Sequence, residues 1–479
     1  MNINQVSKRA SRVTCVLAGS ALLAACQTFS GDGGLQVAAD IAGAELKKDV
    51  VAIKNDEVAA AAYDRVTHLL RRPLTADTAV QVALLNNRGL QAAYNELGLA
   101  EADMVRSSLP PNPTFAVQRL SSSPEIEVEK RVVASILALA TLPVRASIAG
   151  DRFSQAQLRA AEDTLRVAAE TRRSYYRAVA ASELAAFLAE SQRAAETATK
   201  LAQRLGETGA INKLDQAREQ VFYAELTAQL AKVRQVANSE RERLIRQMGL
   251  WGADLNFRMP AALPALPRRP LTMPAIEVEA VARRVDLQVK RIELVALAKS
   301  YGLTQATRFV NLLDLAGVSR TVTDRESGSK VRDTGFDIEF QIPLFDFGEV
   351  RVRQASEIYA QAINLLTERA VNVRSEARDA YRTYRSAFDI ARHYENEVIP
   401  IRKIISDEMM LRYNAMMIDV FALLIEARQR LNSNIAAIEA RRDFWLAKTN
   451  LGVAVVGGGG GGGEMMATAS APSGGEAGH

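Results

Sequence analysis

The side chains able to do covalent or metal chemistry are few and scattered. Two cysteines, Cys15 and Cys26, lie near the start of the 479-residue chain, and the three histidines are His68, His393 and His479. That spacing offers no thiol pair, metal-ligand cluster or nucleophile with its base, so the sequence predicts no catalytic residue, no resident metal and no cofactor. Four methionines, Met409, Met410, Met416 and Met417, bring thioethers together in sequence. Thioethers suit Cu(I) or Ag(I), and they equally serve as packing material.

The remaining chemistry is that of position relative to lipid. In Gly335 to Gly348, Phe336, Ile338 and Phe340 alternate with Asp337, Glu339 and Gln341 before a Pro/Gly turn. A strand with that period has one apolar and one polar face, the pattern of a membrane β-barrel strand between hydrocarbon and an aqueous lumen. A half-buried strand of a soluble sheet reads the same way in isolation. The surroundings favour the barrel. Lys8, Arg9 and Arg12 precede an apolar stretch from Val13 to Ala25, too short for a membrane-spanning helix and typical of an export signal. Leu23-Ala24-Ala25-Cys26 also resembles a bacterial lipoprotein signal, which predicts cleavage before Cys26 and acylation of its thiol, with Gln27 favouring the outer membrane. No later segment approaches 18 consecutive apolar residues, so a membrane crossing falls to strands.

These strands must be carried by helices. Only 6% of the chain is aromatic, and its composition favours closely packed helices over a large mixed core. The net charge of +5 is interleaved with Asp and Glu along helical runs, which reads as solvated helix faces and excludes a nucleic-acid partner. The segment from Ser147 to Leu205 predicts a helix about 90 Å long at about 1.5 Å per residue. Its partner, Asn212 to Met248, has one apolar line at Leu214, Ala217, Val221, Ala224, Ala228 and Ala231 and a second at Leu226, Leu230, Val233 and Ala237. A helix with two seams needs neighbours on both sides. In the second half Ala355, Ile358, Ala362 and Leu365, then Val373, Ala377, Ala380 and Tyr384, repeat the spacing.

The chain reads as one plan used twice, a helix-strand-strand-helix-helix unit. Pro73-Leu74-Thr75, with Thr75 as helix N-cap, opens the first copy, and Pro270-Leu271-Thr272 the second. The expected organisation is a signal peptide at 1–25, an N-terminal segment at 26–72, the first repeat at 73–250, a Pro-rich connector at 251–272, the second repeat at 273–456 and a disordered Gly-rich tail at 457–479. Strands are expected at Thr114–Leu120 and Ile126–Leu139, joined by Ser121–Pro124, and at Arg308–Val318 and Gly335–Leu344, joined by a polar loop from Arg320 to Thr334.

In this order the segments resemble the TolC-like outer-membrane channel family. They are Leu74-Thr75 through Leu90-Gln91, Pro110-Pro111-Asn112-Pro113-Thr114, Ile342-Pro343-Leu344-Phe345-Asp346-Phe347-Gly348, Glu397-Val398-Ile399-Pro400, and Arg412-Tyr413 through Leu424. Val285 departs where the family often has Pro, and Met416 and Met417 depart near a tip position where it often has Gly. The resemblance implies a mainly α fold with a membrane β-barrel, in which a homotrimer forms a 12-stranded barrel joined to a long α-helical tunnel. It implies passive conduction in a tripartite efflux or secretion system, with a periplasmic adaptor (membrane fusion protein) and an inner-membrane pump as partners. The location implied is the outer membrane, lipid-anchored and extending into the periplasm. Asp337, Glu339 and Gln341 would line the lumen, and Gly206 and Gly209 would reverse the first periplasmic hairpin. Arg412, Tyr413, Met416, Met417 and Asp419 would form the pore gate or adaptor contact, with apolar blocking groups and opposite charges in one turn. A Cu/Ag efflux channel using the tip methionines, and a periplasmic adaptor lipoprotein, are the alternatives.

Overall fold

The computed structural model describes residues 29–209 and 211–459, so Cys15, Cys26, Ala210 and most of the glycine-rich tail lie outside the described residues. In chain order the first elements are α1 (Gln36–Leu46), α2 (Asp56–Leu70), α3 (Ala76–Asn86), α4 (Arg88–Ser108), β1 (Thr114–Ser121), β2 (Glu125–Ser135), α5 (Ile136–Glu207) and α6 (Lys213–Met248). After the connector come α7 (Ile276–Arg283), α8 (Val285–Ala306), β3 (Leu312–Asp324), β4 (Lys330–Gln341), α9 (Glu349–His393), α10 (Ile399–Asn414) and α11 (Val420–Val456). The order helix, two strands, two helices occurs twice, and in the second copy a π-helical segment, Tyr394–Val398, separates α9 from α10. Pro400 follows it. Proline has no N–H to give, and the wider π turn lets the helix pass that missing bond.

The chain divides into two compact units, each drawing on both copies. The first (residues 29–52, 88–161 and 285–372 of the described chain) holds the sheet, whose strands lie in the order β1-β2-β3-β4, all antiparallel. The sheet departs from expectation at several bounds: β3 starts at Leu312 where the expected strand began at Arg308, and β4 ends at Gln341 where the expected strand ran to Leu344. Residues 320–334 are mostly strand: Arg320 pairs with Asp333 and Thr323 with Lys330, leaving a turn at 325–329. β2 also stops at Ser135, where the expected strand ran to Leu139; Ile136 starts α5, with Pro143 inside the helix.

β4 meets α9 through a tight corner. The Phe347 N–H donates to Pro343 O at 2.8 Å, and Gly348 N–H donates to Asp346 Oδ1 at 3.1 Å. Phe347 and Gly348 both have positive φ, 47° and 73°. A Cβ on Gly348 would lie 2.2 Å from Arg308 O, so only glycine fits there.

In the second unit (residues 53–87, 162–284 and 373–459 of the described chain) Thr75 caps α3 as expected: its Oγ1 accepts from Thr78 N–H at 3.1 Å, and Thr78 Oγ1 accepts from Thr75 N–H at 2.7 Å. Asn86 and Asn87 follow and bind the end of α6, donating to Gly249 O at 2.6 Å and Gln247 O at 2.8 Å. That satisfies carbonyls the helix leaves free. The core gathers Val373, Ala377, Tyr384 and Phe388 of α9 with Phe444, Leu451 and Val455 of α11 and Ile276 and Ala280 of α7. The Pro-rich connector lies against this core: Leu263 is buried, Trp445 Nε1 donates to Pro264 O at 3.0 Å, and Leu271 N–H donates to Tyr384 Oη at 3.0 Å.

α6 uses only one of its two seams within the chain. Leu226 and Leu230 pack with Leu188, Ala195 and Leu431, and Val233 lies beside them. Leu214, Ala217, Val221, Ala224, Ala228 and Ala231 are all exposed. The start of the glycine run is also packed, contrary to expectation: Gly457 and Gly458 are buried, and a Cβ on Gly458 would sit 2.7 Å from Arg166 N. Without side chains these residues approach α5 closely, which is order obtained from contact and not from hydrophobic area.

Candidate channel-lining and tip sites

In an antiparallel sheet, directly paired residues share a face. Following the register from Phe340 through Leu313, Ile338, Leu315, Ala134, Phe336, Gly317, Val132 and Phe115 traces a continuous apolar area on one face. Asp337, Glu339 and Gln341 fall on the other. Every carboxylate of the strands joins them there: Glu125, Glu127, Glu129, Asp314, Asp324 and Asp333. Two arginines share this acidic face and bridge strands. Arg131 of β2 reaches Asp337 of β4 at 2.8 Å across the small, buried Ala316, and Arg320 pairs with Glu127. Sequence reasoning named three polar residues of this face. It missed Asp324 and Asp333 because residues 320–334 read as a loop, although their alternation continues in the same phase; Glu127, Glu129 and Asp314 lay in segments already read as strands.

The helical hairpin turns lie in the second unit. α5 ends at Glu207, Gly209 adopts φ 75°, and Asn212 caps α6 by accepting from Asp215 N–H at 2.9 Å. Gly206 still belongs to α5, and its small size admits Gln216, whose Oε1 would be 2.9 Å from an added Cβ. At the second turn Met416 N–H donates to Tyr413 O and Met417 N–H to Arg412 O, each at 2.9 Å. Met416 has φ 57°, a left-handed conformation that glycine adopts without strain.

The charges in this turn do not pair with one another. Arg412 binds Glu408 one helical turn back at 3.0 Å, and Asp419 caps α11 by accepting from Ala422 N–H at 2.9 Å. Tyr413 and Asp419 line a cleft of about 370 Å³ with Leu201, Leu205, Ile211 and Asp215, so this cleft brings the two turns together. Met416 and Met417 are 94% and 73% exposed and do not line that cleft. Met409 and Met410 sit back in α10, and among the described residues no three His, Cys, Asp or Glu side chains form a metal-ligand group.

Behind the turns lies a buried ionic group that sequence reasoning did not anticipate. Glu219 of α6 is buried, with Arg428 of α11 at 3.8 Å; Arg428 also stacks over Phe222 and donates to Arg218 O. The Glu219 carboxylate oxygens accept no hydrogen bond from the described residues. Burial raises its pKa above the ordinary value, and Arg428 offsets this only in part. Folding thus favours neutral Glu219, and the associated stability is present below the ordinary carboxylate range and lost as pH rises through the raised value. Glu219→Gln, held neutral, should match wild type in thermal unfolding at pH 4 and exceed it at pH 8. A variant less stable at pH 8 would show that the Arg428 attraction outweighs desolvation.

No protein-family profile and no curated protein matches the chain. Solved structures do. The Campylobacter jejuni CmeC outer membrane channel aligns with TM-score 0.65 at 16% identity over 80% of this chain and 86% of that one. VceC, an outer membrane protein of Vibrio cholerae, aligns with TM-score 0.65 at 13% identity over 83% and 97% of the two chains. The open state of the Neisseria gonorrhoeae MtrE outer membrane channel aligns with TM-score 0.63 at 16% identity over 79% and 88%. These alignments cover most of both chains, and the chain has the fold of the TolC-like outer-membrane channels.

Proposed function

We propose that the protein is the outer-membrane channel of an efflux or secretion assembly, conducting solutes passively from a periplasmic adaptor and inner-membrane pump to the exterior. The observation that carries this reading is the division of the sheet into one apolar face without carboxylates and one face holding all of them. A sheet with hydrocarbon on one side and water on the other needs that division. A soluble two-layer fold would instead cover the apolar face with helices, yet Phe336, Ile338 and Phe340 are exposed.

Four strands leave β1 and β4 each with a single neighbour, and open edges in lipid strand backbone groups at a cost of several kcal/mol each. Three chains contributing four strands each close a 12-stranded barrel, and the exposed seam of α6 supplies the matching contact between helices. Acylation of Cys26 adds an anchor in this reading. Native mass measurement of purified protein reads both the trimer and the acyl group; an unmodified monomer would refute the assembly.

The tip beyond α10 is the proposed constriction. Exposed Met416 and Met417 are apolar groups that can meet their counterparts from other chains and stop ions by dewetting. Replacing both with Ser should raise single-channel conductance in planar bilayers. Ser329→Ala, in the β3–β4 turn, should leave it unchanged. Wild-type conductance from a folded double variant would place the constriction elsewhere.

A further inference from the structure

The apolar face of the sheet carries four cations and no anion. Register places Arg119, Lys130, Lys330 and Arg332 on the same face as Phe336 and Ile338, within the three paired rows nearest the β1–β2 and β3–β4 turns. Lys130 is paired with Val117 and Ser319, Arg119 with Val128, Arg332 with Thr321 and Lys330 with Thr323, so no carboxylate stands opposite any of them. All four are exposed, and none makes an ion pair among the described residues. Arg332 Nε donates to Ser319 Oγ at 3.2 Å, which holds its guanidinium over this face.

Simple solvation does not explain this pattern. A rim that only needed water would accept Glu as readily as Lys, yet every strand carboxylate is on the opposite face. The selection is for positive charge where the sheet passes from apolar to polar, and it requires negative charge outside the protein. Arg119 and Lys130 are diagonal neighbours on adjacent strands, and Lys330 and Arg332 are two residues apart on β4. Each pair has the reach to hold one phosphate between two cations.

Resting on the barrel reading above, we propose that these two pairs bind the phosphate groups of the anionic membrane lipid bordering the sheet at its turn end. The lipid is thereby seated with its chains along Val117, Val132, Phe115 and Phe336 and its phosphate against the cations.

The test uses the purified full-length protein in neutral detergent, titrated with phosphatidic acid or phosphatidylcholine, with bound lipid counted by native mass spectrometry. Arg119→Gln with Lys130→Gln, and separately Lys330→Gln with Arg332→Gln, should each weaken phosphatidic acid binding about tenfold and leave phosphatidylcholine binding unchanged. Arg131→Gln, on the opposite face, should change neither. Unchanged phosphatidic acid binding in both double variants overturns the proposal, and so does full competition by inorganic phosphate, which would mark a site for free anions. Phe336→Cys distinguishes the two levels. Labelling by a lipid-soluble reagent, together with unaltered phosphatidic acid binding in the two double variants, refutes the lipid site alone, whereas labelling only by an aqueous reagent refutes the barrel and this site together.

Discussion

Ile338→Arg is expected to lower the stability of the membrane-inserted protein by about 2–4 kcal/mol, the cost of a cation near the midplane of a barrel's lipid face. Ile338 pairs with Leu315, which pairs in turn with Ala134, and the rows on either side are Phe340 with Leu313 and Phe336 with Gly317 and Val132. An arginine there has no carboxylate on its own face within the sheet, and its side chain must stretch past a full apolar row to reach water. Glu339→Gln, one residue away and on the other face, should leave stability unchanged and shift ion selectivity away from cations by removing one of the carboxylates around Asp314 and Asp337. Urea unfolding in phospholipid vesicles measures the first effect and reversal potentials the second. Equal costs for the two substitutions would mean both faces meet water.

Gly348→Ala should cost about 2–5 kcal/mol, combining a left-handed backbone at about 1–2 kcal/mol with overpacking of about 1–3 kcal/mol. The added carbon would overlap Arg308 O, which also accepts from Arg351 Nη2 at 3.2 Å. Relieving the overlap pulls the start of α9 away from the end of α8, and the Arg308–Glu349 ion pair at 3.1 Å is lost with it. Gly335→Ala is the control: it lies within β4, nothing is within 4 Å of its Cβ position, and its effect should stay within about 0.5 kcal/mol. Unfolding midpoints compare the two, and a neutral Gly348→Ala would mean the corner relaxes at no cost.

How much of this was readable depends on whether local chemistry or tertiary contact set each feature. Thr75 was readable because its cap is made by Thr78, three residues away. The phase of β4 was readable because aromatic and carboxylate residues alternate from Phe336 to Gln341. The outer halves of β3 and β4 were not, since charged residues replace apolar ones toward the β3–β4 turn, and Arg320, Lys330, Arg332 and Asp333 look like a loop when apolar periodicity is the only guide. Pro143 hid the first turns of α5. At the tip, Arg412 and Asp419 invited pairing by their closeness in sequence, whereas Glu408 lies one helical turn from Arg412 and a free N–H of α11 faces Asp419. Glu219 gave no signal, because its burial depends on α11 passing more than two hundred residues later. The packing of Gly457 and Gly458 was hidden for the same reason: contact with α5 is a property of the fold and not of composition.

The two free edges of the sheet constrain the order of events in biogenesis. In the channel reading, β1 and β4 find their second neighbours only in other chains, so a lone subunit has no form of the sheet that hydrocarbon would accept. Insertion and association must then proceed as one step. The yield of inserted protein should rise more steeply than linearly with the amount synthesised, and a subunit able to pair through β1 alone should trap its partners outside the bilayer.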